Sequence, residues 1–213
     1  DLRAKVKDIL PDLPQLKHVL VVNKGGEPSD SVASGDLSYN KLMAEASTDH
    51  AIERTTMYDY SVMHYTSGTT GKPKGAVHRH LAIAQQYITG QWVLDLHEED
   101  IYWCTADPGW VTGTSYGIFA PWSNGITQVI YAGGFSPSRW YELIQQYKIT
   151  VWYTAPTAIR MLMKAGDDLP KRYDLSSLRH INSVGEPLNP EAVVWSNKVL
   201  GLPFHDNWWQ TET

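Results

Sequence analysis

The second half of the chain alternates two kinds of apolar pattern, and that alternation limits the fold more than any other feature. Five short runs, "IYWCT" (101–105), "ITQVIY" (126–131), "ITVWYT" (149–154), "LRHINSV" (178–184) and "PFHDNW" (203–208), are rich in β-branched and aromatic residues, the composition of strands. Helical patterns stand between them. In "SPSRWYELIQQY" Ser136 occupies an N-cap position and Pro137 the first helical position, and Trp140, Leu143, Ile144 and Tyr147 follow at the spacing of one helix face. In "NPEAVVWSNKVLG" Asn189 is the cap, Pro190 follows, and Gly201 is the stop. The pattern predicts an α/β fold, a mostly parallel sheet with βαβ crossovers. Ligands of such sheets bind beyond the carboxyl ends of the strands.

The first half is less regular. "HVLVVN" (18–23) reads as a buried strand, "KGGEPSDSVASGD" (24–36) as a surface loop, and "LSYNKLMAEAS" (37–47) as a short helix. Then comes "YTSGTTGKPKG" (65–75), with three glycines, three threonines, one serine and two lysines. It follows "YSVMHYT", read as a buried strand, and precedes "HRHLAIAQQYITGQWVL", read as a helix. A glycine-rich turn between strand and helix exposes N–H groups that suit anions. The hydroxyls of Thr66, Ser67, Thr69 and Thr70 can donate to phosphate oxygens, and Lys72 and Lys74 can neutralise them. From Tyr60 to Leu94 there is no Asp or Glu, although the chain carries a net charge of -5. That acid-free window favours an anionic ligand.

A Walker A loop places four residues between its first Gly and a Gly-Lys-Ser/Thr ending. Here only Thr69 and Thr70 separate Gly68 from Gly71, and Pro73 follows Lys72, so that count fails. A flexible linker is the bland alternative for such a composition. The net charge argues against bulk nucleic-acid binding. No apolar run approaches the roughly 20 residues of a membrane helix, and no signal peptide is visible. One cysteine, Cys104, is compatible with a reducing compartment, and the cytoplasm is the expected location. It lies in an apolar strand and reads as buried and inert. His78 and His80 flank Arg79 as a surface cluster at a helix start rather than a metal site. Lys164, Lys171 and Arg172 read as a solvated face. The chain starts at Asp1 without Met and stops at "WWQTET", and both ends read as cuts in a longer polypeptide.

The glycine-rich string resembles the phosphate loop of the adenylate-forming superfamily of acyl-CoA synthetases, peptide-synthetase adenylation domains and luciferases. Further strings follow in that superfamily's order. "WCTADPGWVTGTSYG" (103–117) is similar to the region lining the acyl pocket, and "YTAPTAIRML" (153–162) to the next strand-to-helix turn. "SVGEPLNPEA" (183–192) and "DNWWQTET" (206–213) are similar to segments holding adenine, ribose and metal. Within the superfamily, "TADPGW", "VGEPLNPE" and "WWQTET" resemble AMP-forming acetyl-CoA synthetases and close relatives. The resemblance covers about Met57 to Thr213. It divides the chain into 1–56, a residual upstream portion; 57–100, a phosphate-loop strand–loop–helix; and 101–213, an α/β subdomain with the pocket segments.

The resemblance implies roles. Thr66, Ser67, Gly68, Thr69, Thr70, Gly71, Lys72 and Lys74 would hold the ATP phosphates, with Thr66 and Lys72 acting in catalysis. Gly185, Glu186 and Pro187 would pack around adenine, and Asp206, Asn207 and Trp208 would continue that wall. Thr211 would lie near the α-phosphate, and Glu212 would act in catalysis as the ligand of Mg²⁺. Trp110, Val111, Thr112, Val184 and Trp209 would shape the acyl pocket, the Trp209 indole leaving room for a short acid. Two positions depart from the acetyl pattern: Thr114 stands where His is common, and Asn207 where Thr is. The implied reaction activates acetate or another short carboxylate with ATP as an acyl-adenylate and passes it to coenzyme A. The superfamily's lysine-bearing C-terminal domain is absent from this chain, so the isolated fragment is expected to lack complete synthetase activity. A phosphate-binding NTPase or kinase and a non-catalytic fold module remain as alternatives.

Overall fold

The computed structural model describes residues 2–22, 35–66 and 71–213. They form two compact units, residues 1–54 and 55–213. The expected surface loop lies, through residue 34, outside the described residues, as do Ser67, Gly68, Thr69 and Thr70. No helix among the described residues is long and apolar enough to cross a membrane.

The first unit holds helix α1 (Leu2–Ile9), strand β1 (Leu20–Val21), strand β2 (Leu37–Ser38) and helix α2 (Tyr39–Glu45). β1 and β2 pair in parallel, Leu20 opposite Leu37. Ser38 caps α2, its hydroxyl accepting from the Lys41 N–H at 3.3 Å.

The second unit begins with a hairpin. Strand β3 (Tyr60–Thr66) pairs antiparallel with β4 (Lys74–Arg79), Thr66 opposite Lys74 and His64 opposite Ala76. Helix α3 (Ala82–Trp92) comes only afterwards. Two expectations are corrected here. The phosphate-loop string lies between β3 and β4, so a strand rather than a helix follows it directly, and His78 and Arg79 belong to β4 rather than to a helix start. β3 is not buried, because Ser61, Met63 and Tyr65 face outward and are exposed. Helical periodicity after Gly75 begins only at Ala82, and the alternation of a two-stranded ribbon accounts for the residues before it.

The five expected strands all form, as β5 (Ile101–Cys104), β6 (Thr127–Gln128), β7 (Val151–Thr154), β8 (His180–Ser183) and β9 (His205–Asp206). They build one wholly parallel sheet in the order β6-β5-β7-β8-β9. Helix α4 (Val111–Thr114), a π-helical turn (Ser115–Phe119) and helix α5 (Ala120–Ser123) lie between β5 and β6. Helices α6 (Pro137–Tyr147), α7 (Pro156–Lys164) and α8 (Pro190–Leu200) form the later crossovers. The π turn has a local cause. Pro121 has no N–H to return to the carbonyl one turn earlier, so the helix cannot continue in regular register.

Alternate strand residues sort to two faces. Trp103, Trp152 and Ile181 pack with Trp140, Ile144, Ile159, Leu162 and Trp195 of α6, α7 and α8. Tyr102, Val151 and Tyr153 pack on the other face with Leu94, Tyr116 and Ala120. Trp140, Leu143 and Ile144 are buried as their spacing predicts, with Tyr141 added, whereas Tyr147 is exposed. Ser136 and Asn189 stand at the expected cap positions, but neither side chain caps the helix; the Ser136 hydroxyl faces that of Ser138 at 3.3 Å. Gly201 ends α8 in the left-handed region, φ 76°, where a side chain would be strained.

The loop before β5 is anchored by charge. Asp100, 2% exposed, accepts from Arg179 beside β8 (Nε, 2.8 Å) and from the Thr150 hydroxyl at 2.7 Å. Burial alone would raise the Asp100 carboxyl. The hydrogen bonds from Arg179, Thr150 and the His97 N–H outweigh it and hold the group below its ordinary value.

Candidate active site

In sequence order the sheet runs 2-1-3-4-5, so the chain direction across the sheet reverses between β5 and β7. A crevice opens outside the carboxyl ends of strands at such a reversal. A cavity of about 470 Å³ lies there, with Cys104, Thr154 and Val184 at the strand ends. Its volume lies in the range of small-molecule sites.

One wall is the loop from Thr105 through Trp110 into α4. Asp107 makes it turn: its carboxylate accepts from the Gly109 N–H at 2.7 Å and its carbonyl from the Trp110 N–H at 2.9 Å. The Thr114 hydroxyl donates to the Pro108 carbonyl at 2.7 Å. Gly113 is required by close approach, since a Cβ there would lie 2.0 Å from the Asp107 carbonyl oxygen. These contacts present Trp110, Val111 and Thr112 to the cavity. Thr114, one of the two departures from the acetyl pattern, thus has a definite role in holding this loop.

The opposite wall is the loop after β8. Val184, Gly185 and Glu186 line the cavity, with Gly185 left-handed at φ 102°. Glu186 reaches across to α7, which lacks a side-chain cap of its own. Its carboxylate accepts from the Thr157 N–H (3.2 Å), the Thr157 hydroxyl and the Arg160 guanidinium (2.6 Å). Those hydrogen bonds, Thr157's first, hold the Glu186 carboxyl below its ordinary value. Thr157 and Arg160 carried no sequence signal for this role; a free helix start after "YTAP" was the available hint.

Six expected residues, Trp110, Val111, Thr112, Val184, Gly185 and Glu186, therefore meet on one cavity, although they come from two distant strings. Others surround it without lining it. Asp206, at the end of β9, accepts from the Leu188 N–H at 3.2 Å and so braces the loop that carries Glu186 and Pro187. The Asn207 N–H continues the ladder to the Ser183 carbonyl at 2.8 Å. Trp208 is exposed. Trp209 does not line the cavity; it packs edge-on against Tyr116, ring centroids 4.9 Å apart, in the cluster that contains Val184. Cys104 is not wholly buried, since it borders the cavity, yet burial pushes its thiol up to about 11, which leaves it protonated and inert.

Thr66 and Lys74 face each other at the mouth of the hairpin, followed around the turn by Gly71 at φ 102° and by the exposed Lys72. A hydrogen bond joins the hairpin to the last segment of the chain: His78 Nε2 lies 2.7 Å from the Thr211 carbonyl. Neither residue's part in this bond was visible in sequence.

The family model described as AMP-binding enzyme matches residues 1–213. The chain belongs to this family. Acetyl-coenzyme A synthetase of Bacillus subtilis (strain 168) is 57% identical over 201 residues, covering 94% of this chain and 34% of that protein. Acetyl-coenzyme A synthetase of Methanothrix thermoacetophila is 44% identical over 222 residues, covering 100% of this chain and 33% of the relative. Among solved structures, Brucella canis acyl-CoA synthetase superimposes with a TM-score of 0.83 at 30% identity, over 97% of this chain and 41% of that one. The chain thus spans about a third of the length of the curated relatives it matches.

Proposed function

We propose that this chain supplies the acyl- and nucleotide-binding portion of an AMP-forming acid–thiol ligase. Such an enzyme condenses acetate or a similar short carboxylate with ATP, releases pyrophosphate, and transfers the acyl group from the adenylate to coenzyme A with release of AMP. The single observation that carries the reading is the cavity at the sheet's reversal point, where the Trp110–Thr112 wall and the Val184–Glu186 wall face each other. The strong likeness to acetyl-coenzyme A synthetases supports it.

The residues suit the chemistry. An apolar wall of Trp110, Val111 and Val184 favours a small acyl group, and Gly185 lets a planar base approach the backbone closely. Glu186 is occupied with α7, so on this reading it shapes the adenine side rather than acting as a base. Thr66, Lys72 and Lys74 at the hairpin mouth would hold the phosphates, joined by Ser67, Gly68, Thr69, Thr70 and Gly71; the donors stabilise negative charge on the departing pyrophosphate. Pro187, Asp206, Asn207 and Trp208 would complete the nucleotide side.

Mg²⁺ fits the donor set. Among the described residues no cluster of three or more His, Cys, Asp or Glu could cage a metal. Mg²⁺ commonly uses one or two carboxylates plus substrate phosphates, so the exposed Glu212 would be its protein ligand. When bound, the ion neutralises phosphate charge that would otherwise repel the incoming carboxylate.

A Walker-type NTPase is disfavoured further by the fold, because that loop leads into a helix and this one leads into β4. The proposed division keeps a residual upstream portion over 1–56, the phosphate-loop strand–loop–helix segment over 57–100, in which β4 stands between loop and helix, and a pocket subdomain over 101–213, with the cytoplasm as location. The deciding experiment is ATP–pyrophosphate exchange by the whole polypeptide that carries this chain. Exchange that requires acetate supports the reading; ATP hydrolysis indifferent to any carboxylate overturns it.

A further inference from the structure

We propose that His78 is a positioning residue, whose ring N–H holds the Thr211 main chain and thereby sets the backbone from which Glu212 projects toward the phosphate-binding face of the hairpin. The inference deepens the ligase reading and rests on it for the role of Glu212.

A carbonyl oxygen only accepts, so at 2.7 Å the His78 Nε2 carries the hydrogen and donates it to Thr211. Pairing in the hairpin puts Thr66 opposite Lys74, His64 opposite Ala76 and Val62 opposite His78. Cross-strand partners, and residues two apart along a strand, share a face. Thr66 and Lys74 therefore lie on the same face as His78. The bond brings the Thr211 carbonyl, the residue next to Glu212, to the His78 side chain on that face.

Trp209 anchors the segment by packing against Tyr116, but the other hydrogen bonds made by its residues are local. Within it the Thr213 N–H donates to the Gln210 carbonyl at 3.2 Å and the Trp209 indole to the Thr213 carbonyl at 3.2 Å, both internal bonds. Among the described residues, the His78 bond is the one hydrogen bond that ties residues 208–213 to another element. The His64 ring meets His78 edge-on at 5.7 Å and limits its rotation.

The test compares His78→Phe, which keeps a ring and loses the donor, with His78→Gln, which keeps an N–H at similar reach. Hydrogen exchange of peptides spanning 207–213 reads the clamp without nucleotide. Binding of ATP with Mg²⁺, against AMP alone, reads the metal-bearing geometry. The Phe variant is expected to lose protection in that segment and to weaken Mg-ATP about three- to tenfold, the range for one lost hydrogen bond, with AMP unchanged. The Gln variant is expected to stay within about twofold of the parent on both readouts. Unchanged protection in His78→Phe, or equal losses in both variants, would overturn the proposal. A parent chain that binds no Mg-ATP would count against the ligase reading instead, while the exchange result still decides the clamp.

Discussion

Arg160 of α7 and Glu186 of the loop after β8 form an ion pair at 2.6 Å, and the same carboxylate accepts the Thr157 N–H at the start of that helix. One side chain thus ties the proposed adenine wall to the helix after β7. Both partners are about two-fifths exposed, so the pair contributes little to stability, about 1 kcal/mol or less. Its effect is expected in binding: Arg160→Met should weaken ATP about fivefold with little change in melting temperature, as titration calorimetry and thermal melts would read. The pH sign follows from the lowered Glu186 carboxyl. Its contribution is present above the unfolded value near 4.5 and is lost as pH falls through the lower folded value. ATP affinity traced to this tie should therefore hold from pH 7 to about 5 and decline only below that.

Arg179→Ala should destabilise the fold far more. It leaves Asp100, 1% exposed at its side chain, without its cation. An uncompensated buried carboxylate costs about 3 kcal/mol, readable as a lower urea midpoint with an unchanged slope. The Asp100 carboxyl is held below its ordinary 3.8 in the folded chain. That stabilisation is complete above pH 3.8 and is lost as pH falls through the folded value, so the parent should lose stability in acid more steeply than the variant.

Gly113→Ala should disturb the acyl wall. The added methyl would meet the Asp107 carbonyl at 2.0 Å, and because the atoms it meets are backbone of the Asp107–Pro108 peptide, relief is not easy. Overpacking of this kind costs about 1–3 kcal/mol. The whole enzyme should show a raised KM for acetate before one for ATP; the reverse order would place the loop elsewhere in the reaction.

Trp209→Gly should lengthen the acid that the whole enzyme accepts. The indole packs against Tyr116 in the cluster that contains Val184 and does not itself line the cavity, so its removal would act on the lining through that shared packing. Preference should therefore move by only about 10- to 100-fold per methylene, with a stability loss of about 2–3 kcal/mol because Trp209 is only partly buried. Competition between acetate and butyrate would read it, and an unmoved ratio would remove Trp209 from the acyl pocket.

Much of this architecture was legible in the sequence. The five β-rich runs and the helices at Pro137 and Pro190 needed only local patterns, and each appears where its pattern stands. The hairpin is not legible from the string because "HR" (78–79) also fits the start of the helical stretch "HRHLAIAQQYITGQWVL", and only pairing with β3 distinguishes the two. Caps show the same limit. Ser136 and Asn189 lie at the right positions, but whether a hydroxyl or amide turns back to the helix depends on its neighbours.

By itself, the sequence determined the α/β class, the run of strands and helices from Ile101 onward and the chemical character of the phosphate-loop string, because periodicity, glycine placement and charge are properties of short segments. The tertiary structure alone decided the strand order 2-1-3-4-5, the cavity at its reversal, the Glu186 tie to α7 and the His78 bond to Thr211. Each joins residues far apart in the chain, and their meeting depends on sheet pairing and packing that no local pattern encodes.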